Sequence, residues 1–586
     1  MSDHKPIVYK NREDVPAVVM SEASMLWNKT GAWRYIKPKY CDKVPPCNQG
    51  CPAGNDVENF VRLAEEKKYK EAWLSIKDEN PFPRVCGRVC YHPCETACNR
   101  GQLDRAVSIN ALERFIGDKV AAQTKIERLK NDSGKKVAVV GSGPAGLTTA
   151  YHLARLGHGV HVYEADEKPG GVLRYGIPEY RLPKKVLDEE IQDIVDLGVT
   201  IDCQKRVGET IRWEELLDFD AVFVATGSHK SRGVGIENEE AQGVMPGLGF
   251  LKKVAQGEKV NLGSHTVVVG GGNTAIDAAR TAMRLGSKVT IHYYRSRNEI
   301  PAFKEEVDEA QKEGVQFDML SEPVRVLVEG DQATGIEMRR TRLGDPDESG
   351  RRRPVSVEGS EYVVQASTII IAIGEDTDLE YLPSEIQAEK GRVLIDAFGT
   401  TSRPGVFAGG DMAIANHNVA YAIGSGKAAA IAIDAYLKGS SVSEMGDHTT
   451  IGEHGALSMS HYIEEGRAHA KSRHTKSVVS FNDINLNYFE EQERSKQTKL
   501  DLNERQQNFK EVHHGLSEDQ VSNDAQRCFH CGVCTMCDTC YIYCPDIAIQ
   551  HKGDAAWGYD INFDYCKGCG ICVHECPRNA MMMEDE

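Results

Sequence analysis

The 586-residue chain lacks any apolar run as long as a membrane span, which excludes a helix-anchored membrane protein. Its first residues, MSDHKPIVYKNRED, lack the apolar core of a signal peptide. It also lacks a basic excess. Lys and Arg number 70 against 87 Asp and Glu, a formal net charge of −17, so the footprint needed for nucleic acid is missing. Such a balance suits a soluble protein with a small-molecule or protein partner, and the expected location is the cytoplasm. Isolated cysteine is scarce as well. Of 18 cysteines only Cys203 stands alone, and it reads as a small buried apolar residue. The apolar share of 40% and charged share of 27% are ordinary for globular protein. At about 150 residues per domain, the length predicts roughly three to five units.

What is present is cysteine in clusters: seven between Cys41 and Cys98, ten between Cys528 and Cys576. Clustered cysteines in a cytosolic chain point to metal rather than disulfides. Cys534, Cys537, Cys540 and Cys544-Pro545 spell C-x2-C-x2-C-x3-C-P, and Cys566, Cys569, Cys572 and Cys576-Pro577 repeat it. That doublet is the two-cluster ferredoxin pattern, in which the fourth cysteine of each run ligates the other cluster. One [4Fe-4S] cluster is therefore expected on Cys534, Cys537, Cys540 and Cys576, the other on Cys566, Cys569, Cys572 and Cys544. A zinc ribbon also repeats C-x2-C, but it does not need the x3-C-P ending twice. Cys528 and Cys531 are left without a role, either free thiols or ligands in a shifted register. Met581 to Met583 read as core that closes the small sheet.

The middle of the chain carries two nucleotide turns. In KKVAVVGSGPAGLTTAYHLARLGHGVHVYEAD, Gly141, Gly143 and Gly146 fit G-x-G-x-x-G between strand and helix. Glu164 ends the next strand, where a carboxylate takes ribose hydroxyls. The glycines admit a pyrophosphate to the backbone and helix N-terminus. In HTVVVGGGNTAIDAARTAMRLGSKVTIHYYRSR, Gly270, Gly272 and Ala275 repeat the turn, but Tyr293, Tyr294, Arg295, Ser296 and Arg297 follow where the acid would stand. Arginine there holds a 2′-phosphate or belongs to a solvated basic loop, so NADPH is allowed and NADH is not excluded. NAD(P)H releases two electrons together and a cluster takes one, so a flavin is expected between them. The segment PGVFAGGDMAIANHNVAYAIGSGKAAA fits the rest of a flavin site, with a Gly409–Asp411 turn and a closely approaching helix at Gly424 and Gly426. Ala225–Gly227 and Ala372–Gly374 read as chain crossings between the two units.

At the N-terminus, seven cysteines fall one short of the eight ligands two clusters need. Glu113, on a predicted helix, is the candidate eighth; a plain exposed helix charge is the other reading.

PPCNQGCPAG, GRVCYHPCETAC, ALERF, VVGSGPAGL, GGVLRYGIPEYRLPK, VVGGGNTAID and FAGGD, spread from about Lys37 to Leu437, together resemble the small (beta) subunit of glutamate synthase. The same family includes the N-terminal half of dihydropyrimidine dehydrogenase and the large subunit of NADH-dependent ferredoxin:NADP oxidoreductase. The resemblance implies Cys51, Cys90, Cys94 and Glu113 for one cluster, and Cys41, Cys47 and Cys98 for another whose fourth ligand is open, Cys86 being a candidate. It implies FAD contacts from Ala145, Gly171, Val172, Arg181, Gly410, Asp411 and Asn418, with Glu164, and NAD(P)H contacts from Gly272, Asn273, Thr274 and Arg295. The family's small subunit normally lacks a ferredoxin tail. That tail resembles the DsrL-type NAD(P)H:acceptor oxidoreductase serving dissimilatory sulfite reductase, and the flavin subunit of NAD(P)-linked 2-oxoacid:ferredoxin oxidoreductases.

The expected fold is multidomain α/β. It has a helical N-terminal iron–sulfur domain (1–130), Rossmann-like FAD (131–255 and 366–437) and NAD(P)H (256–365) domains, a linker (438–526) and an α+β ferredoxin domain (527–586). The linker segment NYFEEQERSKQTKLDLNERQQNFKEV is predicted to be a solvated helix. The expected activity is electron transfer between NAD(P)H, FAD, about four [4Fe-4S] clusters and a protein. That protein is sulfite reductase, a 2-oxoacid oxidoreductase or a ferredoxin, and the glutamate synthase small subunit is the rival reading. A homodimer is expected. Hydride transfer needs no side-chain acid or base, so no catalytic residue is expected.

Overall fold

The computed structural model describes residues 10–15, 29–121, 124–346, 350–440, 446–464, 476–553 and 557–586. Among these no helix is long and apolar enough to cross a membrane.

Six short helices form the N-terminal domain: α1 (Pro46–Gln49), α2 (Val57–Glu65), α3 (Tyr69–Glu79), α4 (Pro83–Val89), α5 (Pro93–Thr96) and α6 (Ile109–Val120). Proline opens α1, α4 and α5, where its missing N–H costs nothing. Asp56 caps α2 by accepting from the Asn59 N–H. Gly87 lets α4 approach α6, since a Cβ there would stand 2.5 Å from the Arg114 Cα.

The FAD half is a parallel sheet. Its strand order is Val406–Ala408, Ala221–Val224, Lys136–Val140, Gly159–Tyr163, Thr200–Asp202. The NAD(P) unit is a second parallel sheet, ordered Gln316–Met319, Lys288–Tyr293, His265–Val269, Thr368–Ile371, Val244–Pro246. It carries an antiparallel sheet built on the hairpin Ser321–Glu329 and Gln332–Pro346. The chain crosses between the units twice, and the crossings pair as a ribbon, Lys230–Ser231 against Glu375–Asp376. This ribbon follows directly from Ala225–Gly227 and Ala372–Gly374.

A single apolar core runs from Phe60 and Trp73 through Leu147 and Tyr151 to Phe407 and Ile431, so helical domain and FAD half pack as one body. At their junction lies a buried ion pair between Lys427 and Glu79. The ammonium also donates to the Ala53 carbonyl at 2.6 Å. Glu79 further accepts from the Ser458 hydroxyl and the Met459 and Ser460 N–H groups at 2.7–3.0 Å. Burial pushes the Glu79 carboxyl up, but Lys427 and these donors outweigh it and hold it below the usual range.

Two expectations are corrected. The segment Asn487–Val512 is helical only at Leu502–Arg505 and in one 3-10 turn at Leu486–Tyr488. It is a strap. Arg494 donates to Glu95 at 2.6 Å, Lys499 to Glu309 at 2.9 Å, and the Val512 N–H to the Tyr180 carbonyl at 2.9 Å. Helix-favouring composition is a weak preference, and these tertiary bonds override it. Met581–Asp585 does not close a sheet within the ferredoxin domain. It pairs antiparallel with Ile36–Tyr40, near the other end of the chain, with Tyr40 opposite Met581.

Lys427→Met leaves Glu79 buried without its counter-charge and is expected to cost about 3–5 kcal/mol, read as a fall in the midpoint of denaturant unfolding. Lys427→Met with Glu79→Leu should recover part of that loss.

Candidate electron-transfer site

The first nucleotide turn sits between the strand Lys136–Val140 and helix α7 (Pro144–Arg155). Gly141 has φ +99°, and a Cβ on it would stand 2.5 Å from the Ala225 carbonyl oxygen. A Cβ on Gly146 would meet the Gly141 carbonyl oxygen at 1.9 Å. Glycine is required at both places. Glu164 is buried; it accepts from the Ser142 N–H at 3.0 Å and hydroxyl, and from the Asp166 N–H at 2.7 Å. Gly171, at φ +52°, abuts the Cα of Gly143 and caps the turn Val172–Tyr175.

The second turn has the same build. Gly270 has φ +142°, and its Cβ would lie 2.1 Å from the Ala372 carbonyl oxygen. Gly272 begins the helix Asn273–Arg284. Asn273 accepts from the Phe303 N–H at 3.0 Å. The Tyr293 ring covers Gly271, and its hydroxyl donates to the Glu299 carbonyl at 2.9 Å. The guanidinium of Arg295 lies over the Tyr294 ring at 5.3 Å, and that of Arg297 pairs with Asp308 at 2.8 Å.

The two units meet at Glu375. Burial pushes its carboxyl up, a hydrogen bond from Thr274 opposes this, and His417 and Asp411 act on it from the flavin side. Thr274 of one turn and Asp411 of the other are thus neighbours of one carboxylate. Burial raises Asp411 too. Gly410, at φ +66°, packs on the Ala145 Cβ, and its N–H donates to Ser425 at 2.9 Å. Asn418 caps the helix Val419–Leu437 by accepting from the Ala420 and Tyr421 N–H groups. Arg181, expected against the flavin, forms ion pairs with Asp277 at 2.7 Å and Glu306 at 3.5 Å.

On the other side of Val419–Leu437 lies a small cavity lined by Cys51, Cys86, Cys90, Cys94 and Glu113. Burial pushes the Glu113 carboxyl up to about 8, against hydrogen bonds from Asn55 (3.1 Å) and Asn80 (3.0 Å). Neither asparagine was singled out in the sequence, although Asn55 directly follows the motif that holds Cys51. Cys51, Cys90, Cys94 and Glu113 all act on one another electrostatically; Cys86 neighbours Glu113 and Cys90. Cys41 is placed elsewhere. It follows the strand Ile36–Tyr40, and its N–H donates to the Ala580 carbonyl at 3.0 Å.

In the ferredoxin domain, Cys534, Cys537, Cys540 and Cys576 line a second cavity with Tyr40 and Tyr559. Cys572 neighbours Cys566, Cys540, Cys544 and Cys569. Cys534, Cys537, Cys540 and Cys576 thus share one cavity lining, while Cys544, Cys566, Cys569 and Cys572 lie near one another and near Cys540. Among the described residues no group of three or more His, Cys, Asp or Glu closes around a single metal ion. A cubane cluster differs in that its own atoms stand between its ligands.

Turns that bare the backbone to two nucleotides, beside buried thiol sets, define an FAD- and NAD(P)H-dependent iron–sulfur oxidoreductase. Residues 135–435 match the pyridine nucleotide-disulphide oxidoreductase family, 29–125 the 4Fe-4S domain II of dihydropyrimidine dehydrogenase, and 559–582 the 4Fe-4S binding domain. The chain belongs to the pyridine nucleotide-disulphide oxidoreductase family, in its glutamate synthase small-subunit-like branch. It is 37% identical over 536 residues to the NADPH-Fe(3+) oxidoreductase subunit beta of Geobacter sulfurreducens, covering 84% of this chain and 76% of that one. It is 40% identical over 423 residues to the NADP(+)-dependent formate dehydrogenase subunit beta of Moorella thermoacetica (67% and 60%). It is 36% identical over 421 residues to the glutamate synthase [NADPH] small chain of Escherichia coli (67% and 89%).

Gly426 touches the flavin turn, since a Cβ there would lie 2.3 Å from the Ala145 carbonyl oxygen. Gly426→Ala is expected to weaken FAD binding at least about tenfold, or 1.4 kcal/mol. Flavin content after purification reads this out, and full retention of FAD would contradict it.

Proposed function

We propose that the chain is the nucleotide-handling subunit that passes electrons between NAD(P)H and dissimilatory sulfite reductase. A flavin held there would supply the conversion between a hydride from the nicotinamide and single electrons for the clusters. The protein's own work is placement. Gly141, Gly143, Gly146, Glu164, Gly171, Val172, Gly410 and Asp411 hold the flavin nucleotide, with α7 directing its N-terminus at the pyrophosphate. Gly272, Asn273, Thr274, Arg295 and Arg297 hold NAD(P)H, and Glu375 ties that turn to the flavin turn. Cys51, Cys90, Cys94 and Glu113 hold the cluster behind the Val419–Leu437 helix, and the two crossed cysteine sets hold the ferredoxin clusters.

The observation that carries the protein-partner reading is the ferredoxin surface. Ile542 and Ile547 are 70% and 72% exposed, next to Cys540 and Cys544, and Tyr543 and Trp557 are exposed as well. Large apolar side chains crowded beside a redox site mark a docking face. The glutamate synthase small chain is matched over 89% of its length by 67% of this chain, so a long remainder of this chain extends beyond that match. This favours a partner other than the amidotransferase.

Anaerobic co-purification from the native cell, with mass spectrometry, tests the reading. Recovery of a sirohaem sulfite reductase is expected; recovery of thiamine-diphosphate 2-oxoacid oxidoreductase subunits instead would replace it. For nucleotide choice, Arg295→Ala with Arg297→Ala is expected to raise KM for NADPH about tenfold and leave KM for NADH nearly unchanged in steady-state assays.

A further inference from the structure

We propose that Cys47 and Cys98 of the N-terminal domain and Cys528 and Cys531 of the C-terminal domain form one four-thiolate iron–sulfur site, to which Cys41 contributes nothing. The proposal rests on the reading that the N-terminal domain carries a second cluster, and it assigns that cluster's ligands.

The first observation is convergence. Cys47 is half-buried and has Cys98, Cys528 and Cys531 as electrostatic neighbours; Cys98 has Cys528; Cys531 has Cys528 and Cys98. Every pair among the four is represented. The thiols come from four places: the first turn of α1, the segment just after α5, and the two ends of a C-x2-C turn. Two C-x2-C cysteines with two single cysteines is an ordinary donor set for an iron–sulfur cluster.

The second observation is the turn itself. In Cys528-Phe529-His530-Cys531, His530 has φ +50° and donates its N–H to the Cys528 sulfur at 3.4 Å. The same turn recurs at other proposed cluster cysteines. Met536 (φ +55°) and Gly568 (φ +72°) follow Cys534 and Cys566 by two residues and donate backbone hydrogen bonds to them. His92 (φ +41°) does so for Cys90 at 3.3 Å. A left-handed residue at this position turns two cysteines to one side, and N–H groups aimed at sulfur stabilise a cluster's charge. His530 adopts it despite the steric cost to a side chain with a Cβ. Lys43, two residues after Cys41, is not in the left-handed region, and its N–H donates to the Gly532 carbonyl at 2.9 Å.

The third observation is how firmly the C-terminal turn is seated. The His530 ring bridges Glu58 (2.9 Å) and Glu65 (3.1 Å) of α2. Asn99, next to Cys98, donates to the Cys531 sulfur at 3.6 Å and to the Val479 carbonyl at 3.0 Å. Arg100 lies over the Phe529 ring at 5.0 Å and donates to the Arg527 carbonyl at 3.1 Å. A Cβ on Gly532 would meet the Lys43 carbonyl oxygen at 2.8 Å. These bonds hold Cys528 and Cys531 against the helical domain.

The test compares the full chain, purified anaerobically, with Cys528→Ala/Cys531→Ala and with Cys41→Ala. Iron, zinc and FAD are quantified, and the reduced proteins are examined by low-temperature EPR. The double variant is expected to lose about four of roughly sixteen iron atoms and one EPR signal while keeping FAD; Cys41→Ala should keep all. Unchanged iron in the double variant, loss of about four iron in Cys41→Ala, or stoichiometric zinc lost with the pair would each overturn the proposal. Should the double variant fail to fold, Cys528→Ser decides: a shifted EPR signal or potential supports the assignment, and an unchanged one defeats it. NAD(P)H bleaching of the flavin tests the electron-transfer reading separately, since it can succeed whichever cysteines bind iron.

Discussion

The helix Val419–Leu437 is gripped on two sides by direct backbone contact, and the rest of the molecule depends on that grip. On one side Gly426 lies on the Ala145 carbonyl of the flavin turn; on the other, Gly424 lies on the Pro52 carbonyl, next to Cys51, where a Cβ would come within 2.0 Å. Any side chain at either glycine would push apart the flavin turn and the first thiol set. Thr149 reinforces the first contact by donating to the Gly426 carbonyl at 2.8 Å. One residue on from Gly426, the Lys427–Glu79 pair sets the helix in register with α3. A buried pair is weak evidence for net stability but strong evidence for geometry, because neither member tolerates loss of the other.

The thiol sets impose an opposite demand. Burial raises Cys47, Cys86, Cys90 and Cys94, and their mutual charges raise them further. Apolar burial with several sulfurs close together disfavours thiolates without a cation among them. Iron held by these thiols would supply that positive charge, and ligand deprotonation would then be coupled to folding. The Asn55 and Asn80 amides at Glu113 act in the same direction, by donating to a carboxyl that burial alone would keep neutral.

Much of this was legible in the sequence because some functions demand a residue type at a fixed spacing. Gly141, Gly146 and Gly270 are required by backbone contacts of 1.9–2.5 Å that any Cβ would enter, so the fingerprints were readable without a structure. The x3-C-P endings likewise marked the eight ferredoxin cysteines, four of which share one cavity lining. The strap around Arg494 and Lys499 was not legible, since its Glu, Gln, Lys and Arg residues favour helix locally and contacts with distant Glu95 and Glu309 draw them out. Nor was the partner of Met581–Asp585, because pairing ends more than 540 residues apart leaves no local signal. Cys528 and Cys531 carried the right spacing, but nothing in one dimension tells which distant thiols they face.

That long-range closure also orders the redox sites. Cys51 and Cys47 lie four residues apart across α1, Cys94 and Cys98 four apart across α5, and Cys531 and Cys534 three apart. Each short segment ties one thiol set to the next. The flavin turn meets the first set through the Val419–Leu437 helix, so covalent segments and one helix connect nucleotide and ferredoxin without a domain boundary that must close. The strand pair Ile36–Tyr40 with Met581–Asp585 and the Gly532–Lys43 contact hold the last link in place. The exposed apolar side chains around Ile542 and Ile547 stand at the outer end of that fixed series of contacts.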